Sequence, residues 1–113
     1  MERLFAQTTR FSGCVSDLGI SDEQIRALEN EIMHGSGDVI AGTGGLRKIR
    51  MARHGGGKRG GYRVLFADYE DLGVCFLITV FAKSAKANVT VAEAKALKKM
   101  KAVLDVEVRR SYG

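Results

Sequence analysis

The chain has 113 residues, of which 45% are hydrophobic, and a net charge of +5. That length suits one domain over residues 1–113, able to bury roughly two thirds of the surface that its unfolded form exposes. No apolar run approaches the ~18 residues that cross a bilayer, and Glu2 and Arg3 interrupt any apolar leader, so a cytoplasmic protein with no membrane partner is expected.

Taken in order, Arg3 to Thr8 reads as a first strand, with Leu4 and Ala6 on one side and Phe5 and Gln7 on the other. Phe11, Cys14, Val15 and Leu18 then fall at helical spacing, which predicts a short helix of core contacts. Ser21 and Gln24 form an S-x-x-Q capping box, and Asp22 and Glu23 suit the positive end of a helix. Ile25, Leu28 and Ile32 share one face of that helix, which should end near Met33 because Gly35 and Gly37 follow. His34 is a last-turn surface residue rather than a ligand. Asp38 to Gly45 is a connection whose glycines permit positive φ.

Two strand-like runs follow, Leu46 to Arg53 and Gly61 to Asp68, flanking a glycine-rich turn from His54 to Gly60. An acidic turn from Glu70 to Gly73 leads into Val74 to Phe81, apolar and largely β-branched or aromatic, as a central strand should be. Thr90 and Glu93 make a second capping box, opening a helix with Val91, Ala94, Leu97, Met100 and Leu104 along one stripe. Lys95, Lys98, Lys99 and Lys101 fall largely off that stripe and read as a solvated face. The tail from Val106 to Gly113 is expected to fray. This order predicts an α+β fold, a small twisted antiparallel sheet with helices packed against it.

Charge is distributed unevenly: residues 1–38 sum to −4, 39–67 to +7 and 68–113 to +2. Seven cations (Arg47, Lys48, Arg50, Arg53, Lys58, Arg59 and Arg63) lie between Leu46 and Arg63, and no acid occurs between Asp38 and Asp68. A cluster that dense repels itself unless a polyanion or an acidic partner offsets it. Alternation places Lys48 and Arg50 on one strand face and Arg47, Ile49, Met51 and Arg53 on the other. If Ile49 and Met51 enter the core, Lys48 and Arg50 point outward, with Arg63 beside them.

Several chemistries are disfavoured by spacing. Gly55, Gly57 and Gly60 match G-x-G-x-x-G, yet they join two strands instead of opening a helix, so a dinucleotide site fails its context. Lys58 is not followed by Ser or Thr, which excludes a P-loop. Cys14 and Cys75 lack metal-ligand or CxxC spacing and read as two buried, reduced thiols; no metal or other cofactor is expected. Neither a nucleophile triad nor a carboxylate pair sits in the basic hairpin. RNA cleavage stays open, because the substrate's own 2′-OH can attack while the protein moves protons and stabilises charge. Arginine stays protonated and would bind phosphate, as Arg50 and Arg63 could; a lysine among like charges can become a base, and Lys48 is best placed. His54 borders the cluster as a second proton carrier.

The run Asp38-Val39-Ile40, Gly42-Thr43-Gly44-Gly45-Leu46-Arg47-Lys48-Ile49-Arg50 and Gly57-Lys58-Arg59-Gly60-Gly61-Tyr62-Arg63 resembles the RelE/ParE superfamily of bacterial toxins, within it the HigB-like branch. The resemblance extends more loosely through Phe76 to Lys83 and the final helix. It implies a toxin held by a helix-turn-helix antitoxin, meeting operator DNA only through that complex, and cutting mRNA in the ribosomal A site once free. It further implies catalytic roles for Lys48, Arg50 and Arg63. Arg47, Arg53, Lys58, Arg59, Lys83 and Lys86 are expected to bind RNA or the ribosome. Where RelE has an arginine and a tyrosine after its last strand, this chain has Ser84 and Thr90. Two other readings compete: a ParE-like toxin that inhibits DNA gyrase, and a nucleic-acid-binding module without catalysis.

Overall fold

The computed structural model describes residues 3–52, 61–82 and 89–113. Among these residues five strands form one sheet in the order β1-β5-β4-β3-β2, comprising β1 (Leu4–Gln7), β2 (Asp38–Val39), β3 (Arg47–Met51), β4 (Tyr62–Tyr69) and β5 (Val74–Ala82). Strands β2 to β5 run antiparallel, as expected, whereas β1 joins β5 in parallel, with Leu4 opposite Val74 and Gln7 opposite Leu77. The parallel step arises because two helices lie between β1 and β2, α1 (Thr9–Leu18) and α2 (Asp22–Met33), long enough to carry the chain across to the far edge. α3 (Val91–Tyr112) closes the chain.

The sheet separates two cores. On one face Ile49, Met51, Tyr62, Val64, Phe66, Leu77 and Val80 pack with Phe11 of α1 and with Ile25, Leu28 and Ile32 of α2. Helix α1 is set by Thr8, whose hydroxyl accepts from Phe11 N–H and donates to Ile78 O at 2.6 Å, so one side chain caps the helix and ties it to β5. The Ser21–Gln24 box forms as expected, and Gln24 Nε2 also donates to Ala52 O at 3.2 Å, holding α2 over the end of β3. Beside this core Asp68 meets Arg3 at 3.3 Å; burial raises the carboxyl above its usual range, and Arg3 opposes that. Neighbouring Cys75, fully buried, has its thiol pushed up to about 12 by burial and the Asp68 charge.

On the other face α3 covers Leu46, Leu65, Ala67, Tyr69, Val74 and Ile78 with Leu97, Met100, Leu104 and Val108. The stripe runs further along the chain than the sequence suggests. Val91 is 76% exposed and takes no part, whereas Val108 is 1% exposed, and the helix continues to Tyr112 where fraying was expected. Burying a valine completely is worth about 1.5–3 kcal/mol, enough to hold a terminal turn that propensity alone would release. Tyr112 also packs edge-on against Phe76, and Arg109 reaches Asp71 at 3.0 Å. Midway along the helix, Tyr69 Oη and Lys101 Nζ both donate to Asp105 Oδ1 at 2.6 Å, with the ammonium 5.0 Å from the Tyr69 ring centroid. Burial alone would raise the Asp105 carboxyl; the two donors outweigh it and hold it below its usual value. Burial, and then this carboxylate, push the Tyr69 phenol up. Lys95, Lys98 and Lys99 are exposed, as expected, and Lys101 is half-buried in its pair with Asp105.

Candidate nucleic-acid interface

The segment before β3 is a fixed turn rather than a plain connection. Asp38 and Val39 pair with Lys48 and Arg47, and Ile40 N–H donates to Leu46 O at 2.8 Å, closing residues 41–45 into a loop. Thr43 is its internal strut: fully buried, it donates from its hydroxyl to Ile40 O at 2.7 Å and accepts from Leu46 N–H at 3.2 Å. Gly44 and Gly45 have φ of 75° and 108°, and the loop lies against Lys98 and Lys101 of α3. Leu46, fully buried, anchors the strand that follows, so the phase of β3 is set before its cations begin.

That phase decides which cations meet. Ile49 and Met51, 7% and 6% exposed, enter the α1/α2 core, and Lys48 and Arg50 therefore emerge on the α3 face. Register with β4 sets Arg50 directly opposite Arg63 and Lys48 opposite Leu65, and cross-strand partners share a face with Cβ atoms about 4.5–5.5 Å apart. Lys48, Arg50 and Arg63 thus form one patch. Like charges set opposite each other destabilise a sheet. Among the described residues none of the three makes an ion pair, and Arg63 Nε is buried with no hydrogen-bond partner among them.

Arg47 belongs elsewhere. It lies on the opposite face, donating from Nη1 to Gly37 O at 3.1 Å. His54, Arg53, Lys58 and Arg59 between β3 and β4, and Lys83, Lys86 and Ser84 after β5, lie outside the described residues.

Because β2 ends its pairing at Asp38, the remainder of β3 is a sheet edge, and Arg50 stands exposed on it. A recess of about 380 Å³ opens there, bringing Glu31 and Asp38 to the same space as Lys48, Arg50 and Arg63. Asp38 sits opposite Lys48 in the ladder. These two carboxylates are distant in sequence from most of the cations, and only the hairpin register and the end of α2 reveal them. A second cavity, of about 300 Å³, lies toward α3, where the apolar Ile40, Leu65, Phe81 and Val89 meet the cationic Lys48 and Arg63. Phe81 is the direct cross-strand partner of Arg63. The sequence showed Phe81 only as the end of an apolar strand; nothing in its spacing linked it to a cation.

Chemically, the patch combines two guanidinium groups with a lysine on one face of the sheet. Such a surface binds phosphate through charge-assisted hydrogen bonds, with arginine offering two parallel donors to a phosphoryl group. No helix among the described residues is long and apolar enough to cross a membrane. A family model described as the RelE toxin of the RelE/RelB toxin-antitoxin system matches residues 2–110. The match covers every described strand and all but the last two residues of α3, so the fold, the fixed hairpin and the cation patch all lie within it. The chain belongs to the RelE toxin family and is the toxin component of a toxin-antitoxin system.

Proposed function

We propose that the chain is a ribosome-dependent mRNA endoribonuclease of the HigB-like branch, acting through Lys48, Arg50 and Arg63. The observation that carries this reading is the Arg50–Arg63 cross-strand pair with Lys48 on the same face, three cations with no ion-pair partner among the described residues. Self-repulsion of that kind is offset when a phosphate binds.

In this mechanism the 2′-OH of the substrate attacks the adjacent phosphorus and loses its proton to a base, either Lys48 in its neutral form or His54. The bond from phosphorus to the leaving 5′-oxygen breaks as the new one forms, and that oxygen takes up a proton from the conjugate acid of the second group. Arg63 stabilises the extra negative charge on the phosphoryl oxygens in the transition state, and Arg50 orients the phosphate beforehand. No metal enters the scheme. Arg53, Lys58, Arg59, Lys83 and Lys86 extend the contact to RNA or ribosome, and Arg47, engaged with Gly37 O, contributes to the hairpin instead. A helix-turn-helix antitoxin neutralises the toxin in the cytoplasm and carries it to operator DNA.

The test is cleavage of a defined mRNA by purified protein, with and without programmed ribosomes, for the wild type and Arg63→Ala. Removing a group that stabilises transition-state charge typically lowers the rate by about 10²–10³. Cleavage confined to ribosomes and lost in the variant supports the reading. Undiminished cleavage by Arg63→Ala refutes the site; no cleavage by either protein, with gyrase inhibited or RNA merely bound in a salt-sensitive way, refutes the nuclease.

A further inference from the structure

The cavity of about 300 Å³ beside the cation patch has a composition that phosphate binding alone does not require. Its apolar side, formed by Ile40, Leu65, Phe81 and Val89, is joined to its charged side through the sheet register itself. Phe81 is the ladder partner of Arg63, and Leu65 that of Lys48, so each cation stands beside an apolar lining residue on the same face. Phe81 is only half-buried although it belongs to the core under α3, which leaves part of its ring available to a ligand.

A ligand that satisfies both halves carries a flat, weakly hydrated ring a few bonds from an anion. A nucleotide has that form. The volume lies at the lower end of the range for small-molecule sites, suited to one base and not to a stacked pair. Single-stranded RNA is commonly held in this way, an unstacked base lying on an aromatic side chain while its phosphate meets cations. Arg63 lines the cavity and is the ladder partner of Phe81, so a cation stands at the junction of the two halves. The N-terminal end of α3, capped by Thr90 directly after Val89, adds its positive dipole to the same region.

We propose that this cavity is a nucleobase subsite: one unstacked base of the RNA lies on Phe81, among Ile40, Leu65 and Val89, with its own phosphate on Arg63 and Lys48. The inference deepens the nuclease reading and rests on it for the identity of the RNA. It makes Phe81 a residue that positions the substrate and selects which base lies next to the reacting phosphate.

The experiment uses the full chain and two probes that differ only by the base, adenosine 5′-monophosphate and ribose 5-phosphate, followed by NMR of side-chain methyl and ring signals. Adenosine monophosphate is expected to shift Ile40, Leu65, Val89 and Phe81, and to bind about tenfold more tightly than ribose 5-phosphate, equivalent to about 1.4 kcal/mol and within the range for a base on an aromatic ring. Phe81→Ala should remove that tenfold advantage and leave ribose 5-phosphate binding unchanged. Phe81→Leu, which keeps apolar bulk in the core, should give the same loss if stacking is the cause. Equal affinity for the two probes, or signals of Ile40, Leu65, Val89 and Phe81 that stay unmoved while adenosine monophosphate binds, would overturn the subsite. The nuclease reading fails separately. Base-dependent shifts in a protein that cuts no mRNA would leave the subsite standing, and ribosome-dependent cutting without them would leave only the nuclease.

Discussion

Replacing Thr43 by valine isolates the strut that sets the phase of β3. The side chain is fully buried, and valine keeps its shape while deleting one oxygen. That oxygen satisfies two backbone groups, accepting from Leu46 N–H at 3.2 Å and donating to Ile40 O at 2.7 Å, while the other link between these residues, Ile40 N–H to Leu46 O, survives. Leaving a buried donor or acceptor unpaired costs about 1–3 kcal/mol, so the two together should cost roughly 2–6 kcal/mol. With an unfolding entropy of about 2.1 cal/mol/K per residue, this corresponds to a fall in Tm on the order of 10 °C. Urea and thermal unfolding measured on the wild type, Thr43→Val and Thr43→Ser read the effect. Serine keeps both bonds and loses only a methyl group, so it should fall much closer to the wild type. If Thr43→Val unfolds within about 0.5 kcal/mol of the wild type, the variation usual for a surface change, the hydroxyl is not the strut described here.

Gly37 has φ of 111°, and a Cβ there would stand 2.7 Å from Phe66 Cζ, a ring buried to 1% exposure. Gly37→Ala should therefore destabilise by more than about 1 kcal/mol, through backbone strain together with displacement of a core ring, as measured by urea unfolding. Asp105, whose folded carboxyl lies below its ordinary value of 3.8, lends stability that is present above that value and lost as pH falls through the lower folded value. Asp105→Asn should be less stable than the wild type at pH 7, and the gap should narrow below pH 3.8; a constant difference from pH 7 to pH 2 would contradict the Tyr69–Asp105–Lys101 arrangement. Cys75 is fully buried and its thiol is pushed up to about 12, whereas Cys14 is partly exposed. An alkylating reagent at pH 8 should label Cys14 alone in the native protein and both thiols after unfolding, as mass spectrometry would show.

Local signals in the sequence determined much of this protein. Both capping boxes formed, Ser21 with Gln24 and Thr90 with Glu93, because a cap is completed within one helical turn and needs no distant partner. The strands β3 to β5 were likewise readable, and alternation over a few residues put Lys48 and Arg50 on one shared face, whereas which face met the α1/α2 core was decided by the burial of Ile49 and Met51. The long glycine-and-cation motif carried the toxin family as well, because so many residues at fixed spacing are specific.

Tertiary structure alone decided the rest. The parallel placement of β1 depends on how far two helices carry the chain, and the ordered end of α3 depends on Val108 meeting the sheet; neither is encoded within a local window. Arg50 faces Arg63, Asp38 faces Lys48 and Phe81 faces Arg63 only through cross-strand register. A pattern of period two states which side of its own strand a residue takes, and is silent about which residue of another strand stands beside it. The identities of the cations were therefore written in the chain, whereas the apolar cavity beside them came into being when β4 and β5 paired.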